Sequence, residues 1–163
     1  MPESKVHDHP RPSWDATWME VARVIAERSL CARRKVGAVI VTPDNRPVST
    51  GYNGPPAGMS KTSDCSTFCP RINDKQASYD NCVAVHAEAN ALLFAARSQY
   101  EGGTIYVTHL CCYDCAKLMA NSGLSRVIVE FEDSQRDFSK AKALLKASGL
   151  HVTVTERNHH GQS

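Results

Sequence analysis

The chain has 163 residues, room for one domain with its own core and little more. Hydrophobic residues make up 42% and charged ones 22%, ordinary globular usage that excludes a disordered chain. A formal net charge of +2, from 19 basic and 17 acidic side chains, argues against a strong electrostatic grip on polymeric nucleic acid or an anionic membrane.

No apolar run approaches the roughly 18 residues that crossing a bilayer takes. The polar start, Met1 to Pro10, lacks the apolar stretch of a secretory signal. A cytoplasmic protein is expected. Residues 1–12 hold three prolines and two histidines without periodicity, which predicts a flexible arm. Ser13 is a candidate helix N-cap. Beyond it Trp14, Trp18, Val21 and Ile25 recur at i, i+4, i+7 and i+11. That stripe predicts an amphipathic helix ending near Arg28 with those four on one apolar face.

Val36 to Val41 reads as a strand, Thr42 to Arg46 as a turn and Pro47 to Tyr52 as the returning strand of a hairpin. From Gly54 to about Asn81 neither period holds, and the segment carries Cys65 and Cys69. A loop this long inside a small domain is uncommon unless it is functional or stapled. Val85 to Ala96 is dense in helix formers and is stopped by Gly102-Gly103. Strand, helix, strand, helix and strand then follow over Thr104–Thr108, Tyr113 to about Asn121, Arg126–Phe131, Asp137–Ser148 and His151–Thr155. Residues 157–163, with His159 and His160, read as a frayed tail. The order predicts an α/β fold, a three-layer α/β/α sandwich around a mixed sheet of about five strands, parallel in its second half. One domain over residues 13–156 accounts for it.

Seven cysteines are the unusual feature: Cys31, Cys65, Cys69, Cys82, Cys111, Cys112 and Cys115. In a reducing compartment clustered thiols are more often metal ligands or catalytic groups than disulfides. Three of the likeliest zinc donors fall in two short motifs, His86-Ala-Glu88 and Cys112-Tyr-Asp-Cys115. Zinc takes imidazole nitrogen and thiolate sulfur, and three protein ligands leave a fourth tetrahedral position for water. A Cys-x-x-Cys pair opening a helix puts both sulfurs on one turn, where backbone N–H groups and the helix dipole favour thiolate. Glu88 points to hydrolysis, because a structural site needs no spare carboxylate two residues from its histidine, whereas water activation needs a proton acceptor. Alone, a Cys-x-x-Cys serves redox or structure equally well, and a His-x-Glu is usually a surface pair. A thioredoxin-like reading leaves His86 and Glu88 without a purpose. In this order the two motifs match the zinc nucleobase-deaminase signature.

The chain resembles the cytidine deaminase-like superfamily and, within it, the deoxycytidylate (dCMP) deaminases, from about Ala26 to Val154. The segments that carry the resemblance are Val36–Val41, Ser49-Thr-Gly-Tyr-Asn-Gly-Pro-Pro-Ala-Gly58, His86–Leu92 and Ile105–Thr108 followed by Cys112–Leu118. The Gly-Tyr-Asn-Gly loop discriminates best, since the zinc motifs belong to the whole superfamily. The resemblance implies zinc-dependent hydrolysis of dCMP to dUMP and ammonia, with zinc on His86, Cys112 and Cys115. Glu88 would take a proton from the water, pass it to ring nitrogen 3 and later protonate the departing amine. Asn53 would contact the sugar, the Ala87 N–H the pyrimidine carbonyl, and His109 would line the pocket. Arg33, Arg34 and Lys35 could neutralise the 5′-phosphate, or form a solvated basic turn.

Some bacterial and phage members resemble this chain further. In them four cysteines placed as Cys31, Cys65, Cys69 and Cys82 are here would hold a second, structural zinc. The resemblance also implies a homo-oligomer, dimer to hexamer, with dCTP and dTTP as effectors. One position departs from the family: Cys111 stands where proline usually precedes the first zinc cysteine, and its thiol is expected to point away from the metal. The readings that compete are a sister deaminase acting on another nucleotide or on tRNA adenosine, and a non-catalytic zinc-stabilised binding module.

Overall fold

The Thr42–Arg46 turn closes as expected, with Asn45 in the left-handed region at φ 61 and the Thr42 N–H donating to the Arg46 carbonyl at 2.8 Å. The hairpin that it joins seeds a five-stranded sheet. The computed structural model describes residues 11–59, 69, 71, 82–130 and 137–155. In chain order its elements are α1 (Trp14–Ala26), β1 (Gly37–Val41), β2 (Pro47–Tyr52), α2 (Ala87–Leu93), α3 (Arg97–Tyr100), β3 (Thr104–Val107), α4 (Tyr113–Ala120), β4 (Arg126–Val129), α5 (Ser139–Ala147) and β5 (His151–Val154). The strands lie in the order β2-β1-β3-β4-β5. β1 runs antiparallel to both β2 and β3, whereas β3, β4 and β5 are parallel. The result is the expected three-layer α/β/α arrangement on a mixed sheet.

Strand side chains alternate between two cores. Ala38, Ile40, Ile105, Val107, Val127 and Val129 face α2, α4 and α5. Val39, Val41, Tyr106 and Ile128 face α1 alone. The three-helix layer follows from the parallel connections β3-α4-β4 and β4-α5-β5, which step in one direction across the sheet and put both helices on one side. Gly149, at φ 84, ends α5 in a Schellman arrangement, with the Leu150 N–H bonding the Leu145 carbonyl and the Gly149 N–H that of Lys146, each at 3.0 Å.

Two expectations need correction. Ser13 does cap α1, its Oγ accepting the Ala16 N–H at 3.1 Å, but the buried face is Trp18, Met19, Ala22 and Ala26. Trp14 is 55% exposed and stacks on Trp18. The helix has turned to bring its alanines down on β1, because Gly37 lies against the backbone of Ala22 and Ala26 with no space for a Cβ. Second, the run Val85–Ala96 is not one helix. It leaves helical geometry at Phe94 (φ −100, ψ 16), and α3 starts after an extended Ala96 whose N–H is taken by the Gln99 side chain at 2.8 Å. The remaining differences are one or two residues at element ends. Most of the arm, the tail with His159 and His160, and most of the Gly54–Asn81 loop, including Cys65, lie outside the described residues. No helix among the described residues is long and apolar enough to cross a membrane.

Candidate active site

Two helix starts meet at one end of the sheet. His86 is the N-cap of α2 and Cys112 that of α4, both in extended backbone. Cys115 sits in the first turn of α4, and its N–H reaches the Cys112 Sγ at 3.5 Å. α2 is set against the hairpin by Gly51, whose missing side chain lets β2 approach the Ala87 carbonyl and the Ala91 N. The Ser49 hydroxyl donates to the Ala91 carbonyl at 2.6 Å and fixes the helix along its length. Between α1 and β1 the segment Ser29–Val36 is pinned to Asn53, which directly follows β2. The Asn53 Oδ1 accepts the Val36 N–H and its Nδ2 donates to the Arg34 carbonyl, both at 2.8 Å, while the Ser29 hydroxyl donates to the Asn53 carbonyl at 2.7 Å.

His86, Cys112 and Cys115 form the one cluster of three or more metal-ligating groups among the described residues, with all ligand atoms within 4.8 Å of one another. The His86 Nδ1 lies 3.3 Å from the Cys112 Sγ and 3.5 Å from the Cys115 Sγ. Bond lengths of about 2.0 Å for zinc–nitrogen and 2.3 Å for zinc–sulfur give a tetrahedral N···S edge of about 3.5 Å. The donor set and its spacing therefore fit zinc. Without metal these groups share protons. The hydrogen bond to Cys112, and then that to Cys82, raises His86 to about 10. The Cys115 thiol donating to it, helped by His86, pushes Cys112 down to about 4, and Cys115 is pushed up correspondingly.

Glu88, in the first turn of α2, is 4% exposed. Burial pushes its carboxyl up to about 7 against the pull of its own N–H, His86 and the Cys115 thiol. A carboxyl poised there can accept a proton and return it near neutral pH. Ala87 is fully buried behind the cavity that Asn53, His86, Glu88, His109 and Cys112 line with it. The His109 Nδ1 is 3.1 Å from the Thr108 Oγ1. Cys111 is buried in the core, does not line the cavity, and its thiol is pushed up by burial. It precedes the N-cap of α4 and so lies outside the helix.

The basic turn divides. Arg33 and Arg34 line the cavity, whereas Lys35 is not among its lining residues and pairs with Glu27 at 2.7 Å. Cys31, Cys69 and Cys82 line the cavity too, although they form no ligating cluster of their own among the described residues. Sequence reasoning missed Arg71, a buried lining residue. Its only signal is a cation two residues after Cys69 in an otherwise uninformative loop.

Residues 12–131 match the family model described as the cytidine and deoxycytidylate deaminase zinc-binding region. The chain belongs to this deaminase family. A deoxycytidylate deaminase of Mycobacterium phage D29 is 48% identical over 122 residues, 72% of this chain and 94% of that one. One from Schizosaccharomyces pombe is 36% identical over 146 residues, 87% of this chain but 44% of the yeast protein, so the chain spans under half of that relative. Among solved structures, the dCMP deaminase of cyanophage S-TIM5 in complex with dCMP and dUMP aligns with a TM-score of 0.69 and 28% identity, over 90% of this chain and 100% of that one.

Proposed function

We propose that this deaminase hydrolyses dCMP to dUMP and ammonia in the cytoplasm. The observation that carries the reading is a buried carboxylate, Glu88, against a His86–Cys112–Cys115 cluster of zinc-fitting geometry in one cavity. The likeness to relatives named for dCMP supports the substrate.

Zinc held by those three side chains supplies Lewis acidity that makes water a usable nucleophile near neutral pH. The remaining work falls to the chain. Glu88 takes a proton from the attacking water and delivers it to ring nitrogen 3 as carbon 4 becomes tetrahedral. It carries the second proton to the amine, which leaves as ammonia. The Ala87 N–H, at the start of α2 with no side-chain cap before it, donates to the pyrimidine carbonyl. Asn53 keeps a second Nδ2–H for the sugar after bonding the Arg34 carbonyl.

A structural zinc on Cys31, Cys65, Cys69 and Cys82 is a further part of the proposal, supported by three of these thiols sharing a cavity wall. Two zinc ions per chain are expected, and one zinc with four alkylatable thiols from this set removes it. A homo-oligomer is proposed as well, since Leu93 and Phe94 at the end of α2 are 72% and 79% exposed.

The test of function is ammonia release from a panel of cytosine, adenine and guanine nucleotides. Glu88→Gln is expected to abolish turnover while sparing zinc content, and full activity in that variant removes Glu88 from the mechanism. Running the panel with and without dCTP or dTTP tests the implied effectors.

A further inference from the structure

A metal-ligating histidine almost always gives the N–H of its other ring nitrogen to an acceptor, which fixes the tautomer and the orientation of the ring. The His86 Nδ1 faces the Cys112 and Cys115 sulfurs at 3.3 and 3.5 Å. The ring has a further partner, because Cys82 hydrogen-bonds it from outside that cluster. The backbone shows how a residue four positions earlier arrives there. Gly54 and Val85 exchange N–H···O bonds at 3.1 and 2.8 Å, which anchors the segment to the end of the hairpin. The chain bends at Ala84, and Cys82, Ala84 and His86 all line the cavity. The Ala84 N–H donates to the Cys82 sulfur, so this sulfur is already held as an acceptor. No step of the deamination uses it.

We propose that Cys82 is a positioning residue for the metal centre: its sulfur accepts the Nε2–H of His86 and holds Nδ1 turned toward Cys112 and Cys115. The inference rests on the reading of those three side chains as zinc ligands. An acceptor on the outer nitrogen makes the inner one a more basic ligand, and sulfur here fills the place that a carboxylate, a backbone carbonyl or water usually takes. The competing role is ligation of the structural zinc alone. The two are compatible, since a sulfur that binds a metal keeps lone pairs for a hydrogen bond, but only the first acts on His86.

The experiment records histidine ring 15N–1H spectra of the full chain in zinc–chelator buffers, with the His86 signals assigned by their loss in His86→Asn. The zinc concentration that shifts these signals gives the affinity of this site apart from any other. Cys82→Val keeps the size of the side chain and accepts nothing, and is expected to weaken that affinity about ten- to a hundredfold. The loss for dCMP falls on kcat more than on KM. Cys82→Ser restores an acceptor and so part of the affinity, although a hydroxyl is not among the ligands that zinc takes. A serine variant as impaired as the valine one, or wild-type affinity in Cys82→Val, overturns the inference. The wild type decides independently of how the variants fold: zinc-loaded His86 carries its proton on Nε2, and a proton on Nδ1 overturns the inference alone. His86 signals that ignore zinc defeat the zinc reading and the inference with it.

Discussion

Gly51→Ala tests how α2 is held. A Cβ at this position falls 2.1 Å from the Ala87 carbonyl oxygen and 2.5 Å from the Ala91 N. Both are backbone atoms, so no rotamer change relieves the contact, and α2 and β2 must separate by about 1 Å to restore ordinary packing. Overpacking of this kind costs about 3 kcal/mol, which lowers the melting temperature of a domain this size by about 6–12 °C. The displaced helix carries Glu88 and begins at His86. A misplacement of about 1 Å at reacting groups costs roughly a hundredfold in rate. The assay pairs thermal unfolding of the zinc-loaded protein with kcat/KM for dCMP. Gly58→Ala, where an added Cβ meets nothing within 4 Å, is the control and should match wild type. Wild-type melting and kcat/KM in Gly51→Ala would refute the claim that this close approach sets the geometry.

Cys111→Pro is expected to keep kcat/KM within about tenfold of wild type, roughly 1.4 kcal/mol, because the thiol lies in the core and the residue outside α4; a greater loss shows that the thiol matters. Arg23→Met strands the buried Glu130 carboxylate without its paired guanidinium and should cost about 3 kcal/mol in urea unfolding. Adding Glu130→Gln should return much of that stability, and additive losses would contradict the pairing. Zinc uptake by the apo protein at pH 7 is expected to release about two protons, one from His86, raised to about 10, and one from Cys115, also raised, while Cys112 at about 4 has none to give. Affinity should therefore rise with pH below about 10, and calorimetry in buffers of different ionisation enthalpy counts the protons; a count near zero contradicts the shared-proton state.

The sheet was legible because its strands are unmixed runs such as Val36–Val41 and Arg126–Phe131, bounded by glycines and turn residues. The metal cluster was legible because its donors sit in two short motifs, each at a helix start, where local sequence also sets local geometry. The face of α1 was not. Counting bulky apolar residues chose Trp14, whereas the contact with β1 is made by Ala22 and Ala26 on Gly37, a close approach whose signal is smallness. The break at Phe94 escaped for a related reason, since good helix formers on both sides say nothing of a turn between them. Arg71 escaped because only the folded wall, with Arg33 tied to its carbonyl, brings a distant loop residue beside the zinc-fitting donors.

His86 and Cys112 each occupy the last non-helical position before a helix, so an ion joining them clasps two helix beginnings as well as serving chemistry. Chelation should then fray both opening turns together, visible as faster amide deuteration over residues 87–89 and 113–115 while β1 and β3 stay protected. The same ion would then hold the shape of the pocket and supply its reactivity.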